Sequence, residues 1–258
     1  WGFMGDVKLK SITSYRELDY EDFIDIDGSP MDLFHSARGI DYQQTSQEFQ
    51  LLGTTDTVNY VVGLYYFEEE AEVLNPITFF GLFGAPTDNN EYGMDNDSIA
   101  LYGQAEWRPA AMDQLSLTLG LRYTEEDKEQ YIDHPNAAGN GQTFAVSDSD
   151  SWDNTSGTAI LAYDLNDDIN FYGKVSQGWK SGGFNGEAPT AGAFEEGYDA
   201  EEVLAWEVGM KSRFADDKLQ LNVAAFYNDI SDMQVSVFLE GAGAAASNVA
   251  NAGEATFQ

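Results

Sequence analysis

Residues 115–124 read LSLTLGLRYT. Leu115, Leu117, Leu119, Leu121 and Tyr123 alternate without a break against Ser116, Thr118, Gly120, Arg122 and Thr124. That is the period-two signature of a strand with one apolar and one polar face. The pattern recurs in both directions. Upstream, Ile99, Leu101, Gly103, Ala105 and Trp107 share a face, as do Val58, Tyr60, Val62, Leu64 and Tyr66. Downstream come Ile169, Phe171, Gly173 and Val175, then Leu204, Trp206, Val208, Met210 and Phe214, then Leu219, Leu221, Val223, Ala225 and Tyr227. Strands are also expected over Val7–Asp19, Gly39–Gly53 and Asp153–Leu165, with a tenth beginning near Asn248. No stretch reads as a helix or as a domain boundary, so residues 1–258 form one domain.

The connections alternate in length. Tight turns fall at Thr54–Asp56, Pro109–Asp113, Leu165–Asp167 and Ala215–Asp217. Long acidic loops rich in Gly, Pro and Asn are centred near Gly28, Gly84, Gly139, Gly192 and Gly243. Placing every long loop on one edge of a sheet has no purpose in a soluble sandwich. It is the habit of a transmembrane β-barrel, with short turns on one side of the membrane and long loops on the other. Strand length agrees. The alternating runs are roughly 12–16 residues, against about 5–6 in ordinary soluble strands. At about 3.4 Å per residue and a tilt of about 40°, some 14 residues climb roughly 36 Å, enough for an apolar band of about 25 Å. Tyr66, Trp107, Tyr123 and Tyr227 stand at the ends of the apolar faces, where amphipathic rings mark a membrane interface. The expected fold is all-β, an antiparallel up-and-down transmembrane β-barrel. The chain opens at Trp1 and stops at Gln258 in mid-pattern, so its roughly ten strands read as an arc of a larger barrel. Unpaired edge groups cost several kcal/mol each in lipid, so such an arc cannot insert alone.

Composition narrows the function. The 258 residues hold 45 acidic and 12 basic side chains, a formal net charge of -33, and mean hydropathy is -0.38. There is no apolar run long enough for a transmembrane helix. No basic stripe with interleaved aromatics is present, which argues against nucleic acid as a partner. The absence of cysteine removes disulfides and thiolate metal sites. The acid either forms a cation-attracting mouth or is simply solvated loop surface.

Several segments are ordered along the chain: SITSYR (11–16), QEFQLLG (47–53), SIALYGQAEWRP (98–109), LTLGLRYTEEDKE (117–129), SQGWKSGGFNG (176–186), WEVGMKS (206–212), FYNDISDMQ (226–234) and NAGEA (251–255). In this order and spacing they resemble the barrel of TonB-dependent outer-membrane receptors of the siderophore-receptor type, over nearly the whole chain. Two positions depart from the usual pattern. Ala200-Glu201 stands where Pro-Glu is common, and Ile230 stands where a Tyr often separates the two Asp of the FYNDISDMQ segment. The resemblance implies a complete barrel of about 22 strands, monomeric and embedded in outer-membrane lipid of a Gram-negative bacterium. It also implies energy-coupled uptake of a bulky nutrient such as a ferric siderophore or other metal chelate, driven by TonB through a plug domain that lies outside this sequence. A plugless diffusion porin and a soluble or surface-attached β-rich binding protein are the competing readings.

No catalytic constellation emerges. His35 and His134 sit in different expected loops with no shared third ligand, so no catalytic, metal or cofactor site is assigned. The run beginning at Gly241 lacks the strand-turn-helix context of a phosphate cradle. Gly173 and Gly209 are expected to permit a bend or close approach of the plug. The residues expected to touch ligand are Arg38 in the first long loop and Trp179, Lys180, Phe184 and Asn185 in the fourth. They offer cationic and aromatic contacts for an anionic, aromatic chelate.

Overall fold

A computed structural model describes residues 6–84, 87–135, 143–216, 218–238 and 247–258. Nine long strands follow one another: β1 (Asp6–Asp25), β2 (Phe34–Thr54), β3 (Val58–Phe79), β4 (Thr87–Trp107), β5 (Leu115–His134), β6 (Phe144–Asn166), β7 (Ile169–Lys180), β8 (Glu201–Phe214) and β9 (Leu219–Ser231). Each pairs antiparallel with the next, and β12 (Ala255–Phe257) pairs with β9, giving a ten-stranded sheet left open as an arc. The strand expected near Asn248 divides in two. Ser247–Asn251 is β11, paired with β10 (Gln234–Phe238) in a separate two-stranded sheet, and the tenth strand of the arc is β12.

The turns fall where expected. Thr55 closes the β2–β3 turn, its hydroxyl accepting from Val58 N at 2.9 Å. Asp167 and Asp168 alone separate β6 from β7. At the β8–β9 turn Ala215 and Asp216 both take positive φ; Asp217 lies outside the described residues. So do the centres of two expected loops, near Gly139 and Gly243, and the run beginning at Gly241.

The other loops are shorter than the sequence suggests, because the strands are longer. The six strands β1 to β6 span 20 to 23 residues each. Their outer halves, such as Glu68–Leu74 and Glu125–Asp133, are acidic and polar on both faces yet stay in continuous ladders. Arg38, expected in a loop, is thereby in β2, and Trp179 and Lys180 close β7. A five-residue helix, α1 (Ala191–Glu195), and a single 3₁₀ turn over Gly81–Phe83 were not anticipated.

Register fixes which residues share a wall. Leu64, Leu101 and Tyr123 lie in one row, and Leu117, Leu161 and Gly173 in another. This face is apolar and exposed: Leu101 is 58% accessible, Leu121 61% and Val208 62%. So broad an apolar surface is the lipid-facing side of a barrel wall. Trp107 and Tyr163 stand near its short-turn edge, and Tyr66, Tyr123 and Tyr227 near its far edge. The opposite face, carrying Arg122, Tyr102, Glu48 and Gln50 in mutual contact, lines the lumen. No helix among the described residues is long and apolar enough to cross a membrane.

Candidate functional site

The segment leaving β7 does not extend outward. Residues 181–200 fold back across the inner face of β4, β5 and β6 and build the hydrophobic cluster of the described chain. Phe184 stacks on Phe194 at 5.4 Å, and both are buried with Ile132 and Ala188. Tyr92, Phe144, Val146 and Trp152 supply the wall. Thr190 starts α1 by accepting from Ala193 N at 3.2 Å, which aims Phe194 into this cluster. Gly182 is required here: a side chain would run into the Tyr198 carbonyl and the Trp152 ring.

A polar seam fastens the segment to the wall. Lys128 Nζ donates to Ser181 Oγ at 2.6 Å and to the Gly182 carbonyl at 3.0 Å, and pairs with Glu126 at 3.0 Å. The Ser181 hydroxyl donates to Glu126 at 2.6 Å, and the ammonium lies 5.6 Å from the Trp152 ring. Gln130 holds the Phe184 backbone at both ends, accepting from its N–H at 2.8 Å and donating to its carbonyl at 3.3 Å. Asn90 donates to the Gly186 carbonyl at 3.1 Å. Glu187 accepts from both Tyr92 and Arg38 at 3.4 Å. Burial, reinforced by Glu187, pushes the Tyr92 phenol up to about 12, and burial alone raises Tyr198. The β10–β11 sheet braces the other side, Gln234 Nε2 donating to the carbonyls of Ser181 and Asp199 at 2.9 and 3.0 Å.

Beside and below the infolded segment, the lumen wall is lined by cations set against tyrosine rings. Arg122 lies 5.4 Å from the Tyr65 ring and 5.7 Å from Tyr102, Arg16 lies over Tyr42, and Lys211 over Tyr172. The phenols in turn donate to carboxylates: Tyr42 to Glu69 at 2.8 Å, Tyr102 to Glu48 and Tyr172 to Glu207. The register gives this wall a charge asymmetry. Every lysine and arginine on a strand of the main sheet falls on the inner face, whereas outward positions beyond the apolar band are acidic or neutral.

The residues singled out from sequence divide accordingly. Arg38 reaches the infolded segment through Glu187. Lys180 is exposed at an inward position, cross-strand from Glu201. Phe184 is 7% accessible and packs within the segment. Asn185 donates to Asn248 at 2.9 Å, tying the segment to β11. Trp179 takes the outward parity of β7, opposite Glu202. Sequence reading missed Asn90, Lys128 and Gln130, the residues that position the segment. Their even-numbered spacing along β4 and β5 carried the signal, but nothing local marks where a distant loop will land.

Two glycine expectations change. Gly173 lies on the lipid-facing side, in a shallow apolar hollow with Leu161, Phe171 and Val208, so it faces away from the lumen. Gly209 does face inward, but the Tyr172 ring occupies the space above it.

An open arc with a lipid-facing outer band and an infolded loop on an inner wall that carries both signs of charge is the architecture of an outer-membrane receptor wall, and the family model described as "TonB dependent receptor-like, beta-barrel" matches residues 1–258. The chain belongs to this family. TonB-dependent receptor barrels are outer-membrane proteins of Gram-negative bacteria, and they are transport receptors rather than enzymes. The pesticin receptor of Yersinia pestis is 30% identical over 196 residues, covering 75% of this chain and 28% of that protein. The chain thus spans little more than a quarter of the curated relatives it matches. Among solved structures, the ferric yersiniabactin uptake receptor FyuA from Yersinia pestis superposes with a TM-score of 0.79 at 22% identity, over 97% of this chain and 36% of that one. The copper transporter OprC gives a TM-score of 0.69 at 16% identity, over 94% and 38%. At these identities the structures speak for the fold of this TonB-dependent receptor wall.

Proposed function

We propose that this chain is one continuous barrel domain, an arc of the wall of a monomeric, lipid-embedded receptor, and that the complete protein takes up an anionic metal chelate with energy supplied through TonB. The observation that carries this reading is the sidedness of charge. A chain with 45 acidic residues and 12 basic ones places its strand-borne cations on the lumen wall. An anionic solute passing through meets Arg38, Lys180 and Arg122 in turn, the last of them backed by the Tyr65 and Tyr102 rings. The likeness in fold to a ferric yersiniabactin uptake receptor and a copper transporter supports a metal-bearing solute as the substrate class. Asn185 and Phe184 act on the ligand through the shape of the infolded segment, and Trp179 anchors the wall at the membrane interface.

The test uses the complete receptor in detergent and a panel of ferric siderophores carrying net negative charge. A double substitution, Arg38→Glu with Lys180→Glu, is expected to weaken binding of the best ligand at least tenfold, while heat-modifiable gel mobility shows an intact barrel. Unchanged affinity would sink the reading.

A further inference from the structure

The tip of the β1–β2 hairpin holds a second group of side chains, separate from the infolded segment. Asp25 and His35 are cross-strand partners at the last rung of the hairpin ladder, and Asp27 lies in the turn between them. One donor atom from each of Asp25, Asp27 and His35 lies within 4.8 Å of the other two. The imidazole is oriented from behind: His35 Nδ1 lies 2.9 Å from Asp32 Oδ1, and the Phe23 ring lies 5.2 Å from the His35 ring. A proton on Nδ1, shared with Asp32, leaves the Nε2 lone pair directed at Asp25. Nε2 and Asp25 Oδ1 are 3.7 Å apart, too far for a hydrogen bond and close to the spacing of two ligands on one ion. Both aspartates are preset by the backbone. Asp27 accepts from Ser29 N at 2.9 Å and Phe34 N at 2.8 Å, and Asp25 accepts from Gly28 N at 3.1 Å. Each carboxylate keeps lone pairs free for a further partner.

We propose that His35 Nε2, Asp25 and Asp27 form a binding site for a divalent transition cation of the zinc class at the cell-exterior tip of this hairpin. A neutral imidazole beside two carboxylates is a borderline donor set that suits zinc over calcium or magnesium, which take oxygen alone. The Asp32–His35 contact is the outer carboxylate that sets the tautomer of a metal-binding histidine. Bonds of about 2.0–2.2 Å place tetrahedral donors about 3.3–3.6 Å apart, so the site closes by side-chain rotation at an exposed turn. The site stands whether or not the receptor carries a chelate.

Zinc chloride titrated calorimetrically into the complete, chelator-stripped receptor is the direct test. The expected result is one site that His35→Ala and Asp25→Asn each weaken at least tenfold. Asp32→Asn, acting through the imidazole, should weaken it less. Zinc-edge X-ray absorption should show a single imidazole in the bound state. Equal zinc affinity in His35→Ala, a zinc shell without imidazole, or calcium binding as tightly as zinc would each overturn the proposal. The substitutions lie outside the membrane band, and gel mobility verifies that each variant has assembled.

Discussion

At the scale of single residues, the wall is closed by tyrosines lying flat across glycines. Tyr60 covers Gly53, Tyr102 covers Gly63, Tyr131 covers Gly93 and Tyr172 covers Gly209, each pair directly opposed across neighbouring strands. A glycine weakens a strand by exposing backbone, and an aromatic ring across the ladder restores the lost packing. On the lumen side the ring direction also delivers the phenol to an acid, as with Tyr102 and Glu48. A methyl group at Gly63 has nowhere to go while Tyr102 is in place. Gly63→Ala is therefore expected to destabilise the assembled barrel by about 1–3 kcal/mol, the usual cost of overpacking. In a Tyr102→Ala background the same change should cost little. Urea unfolding of the four members of this cycle in micelles measures the coupling, and additive effects would refute the contact.

At the scale of elements, the infolded segment 181–200 hangs on Lys128. Its ammonium satisfies Ser181, Gly182 and Glu126 together, and it is only 13% accessible. Lys128→Met keeps the apolar stem but removes the donor to Ser181 and Gly182 and leaves the partly buried Glu126 without its cation, so hydrogen exchange over Ser181–Tyr198 should accelerate at least tenfold with the strands unaffected. A charged hydrogen bond contributes about 1.5–3 kcal/mol, which sets that magnitude. Alkali should loosen the same segment by another route. Tyr92 titrates near 12 in place of its ordinary 10.0, so the folded form holds the proton more tightly. Its contribution is complete below pH 10 and is lost as pH rises towards 12. Absorbance at 295 nm and segment exchange should change together in that window. What the sequence withheld belongs to this scale as well. Val58–Tyr66 and Leu115–Thr124 were legible because one face meets lipid and the other water. Ala71–Leu74 and Glu125–Asp133 do not read as strand because both faces are wet, and period two vanishes when neither side selects apolar residues. Phe184 and Arg38 were picked for exposed chemistry, yet the partners that place them, Phe194 and Glu187, lie in a connection whose landing point no local pattern encodes.

At the scale of the whole molecule, a single rule of parity separates three environments. Odd positions of β5 face lipid from Leu115 to Tyr123 and then become acidic at Glu125, Asp127 and Glu129, while even positions carry Arg122 and Lys128 into the lumen. The arc was legible from this alternation and its turns because a barrel wall has no interior of its own, so each strand must declare both solvents in its own sequence. The same rule makes the cost of a charge depend on parity alone. Leu121 is 61% accessible within the apolar band, and Gln104 lies at nearly the same depth on the inner face, cross-strand from Gly120. Arginine near the midplane of the lipid face costs about 2–4 kcal/mol, whereas a lumen position remains hydrated. Leu121→Arg should therefore lower the folding free energy of the complete receptor by about 2–4 kcal/mol and reduce its outer-membrane yield. Gln104→Arg should leave both within about 0.5 kcal/mol of the parent. Chemical unfolding in lipid vesicles reads the difference. Equal penalties at the two positions would mean that the exposed apolar face does not meet a membrane, and the wall would have to be assigned to a soluble sheet.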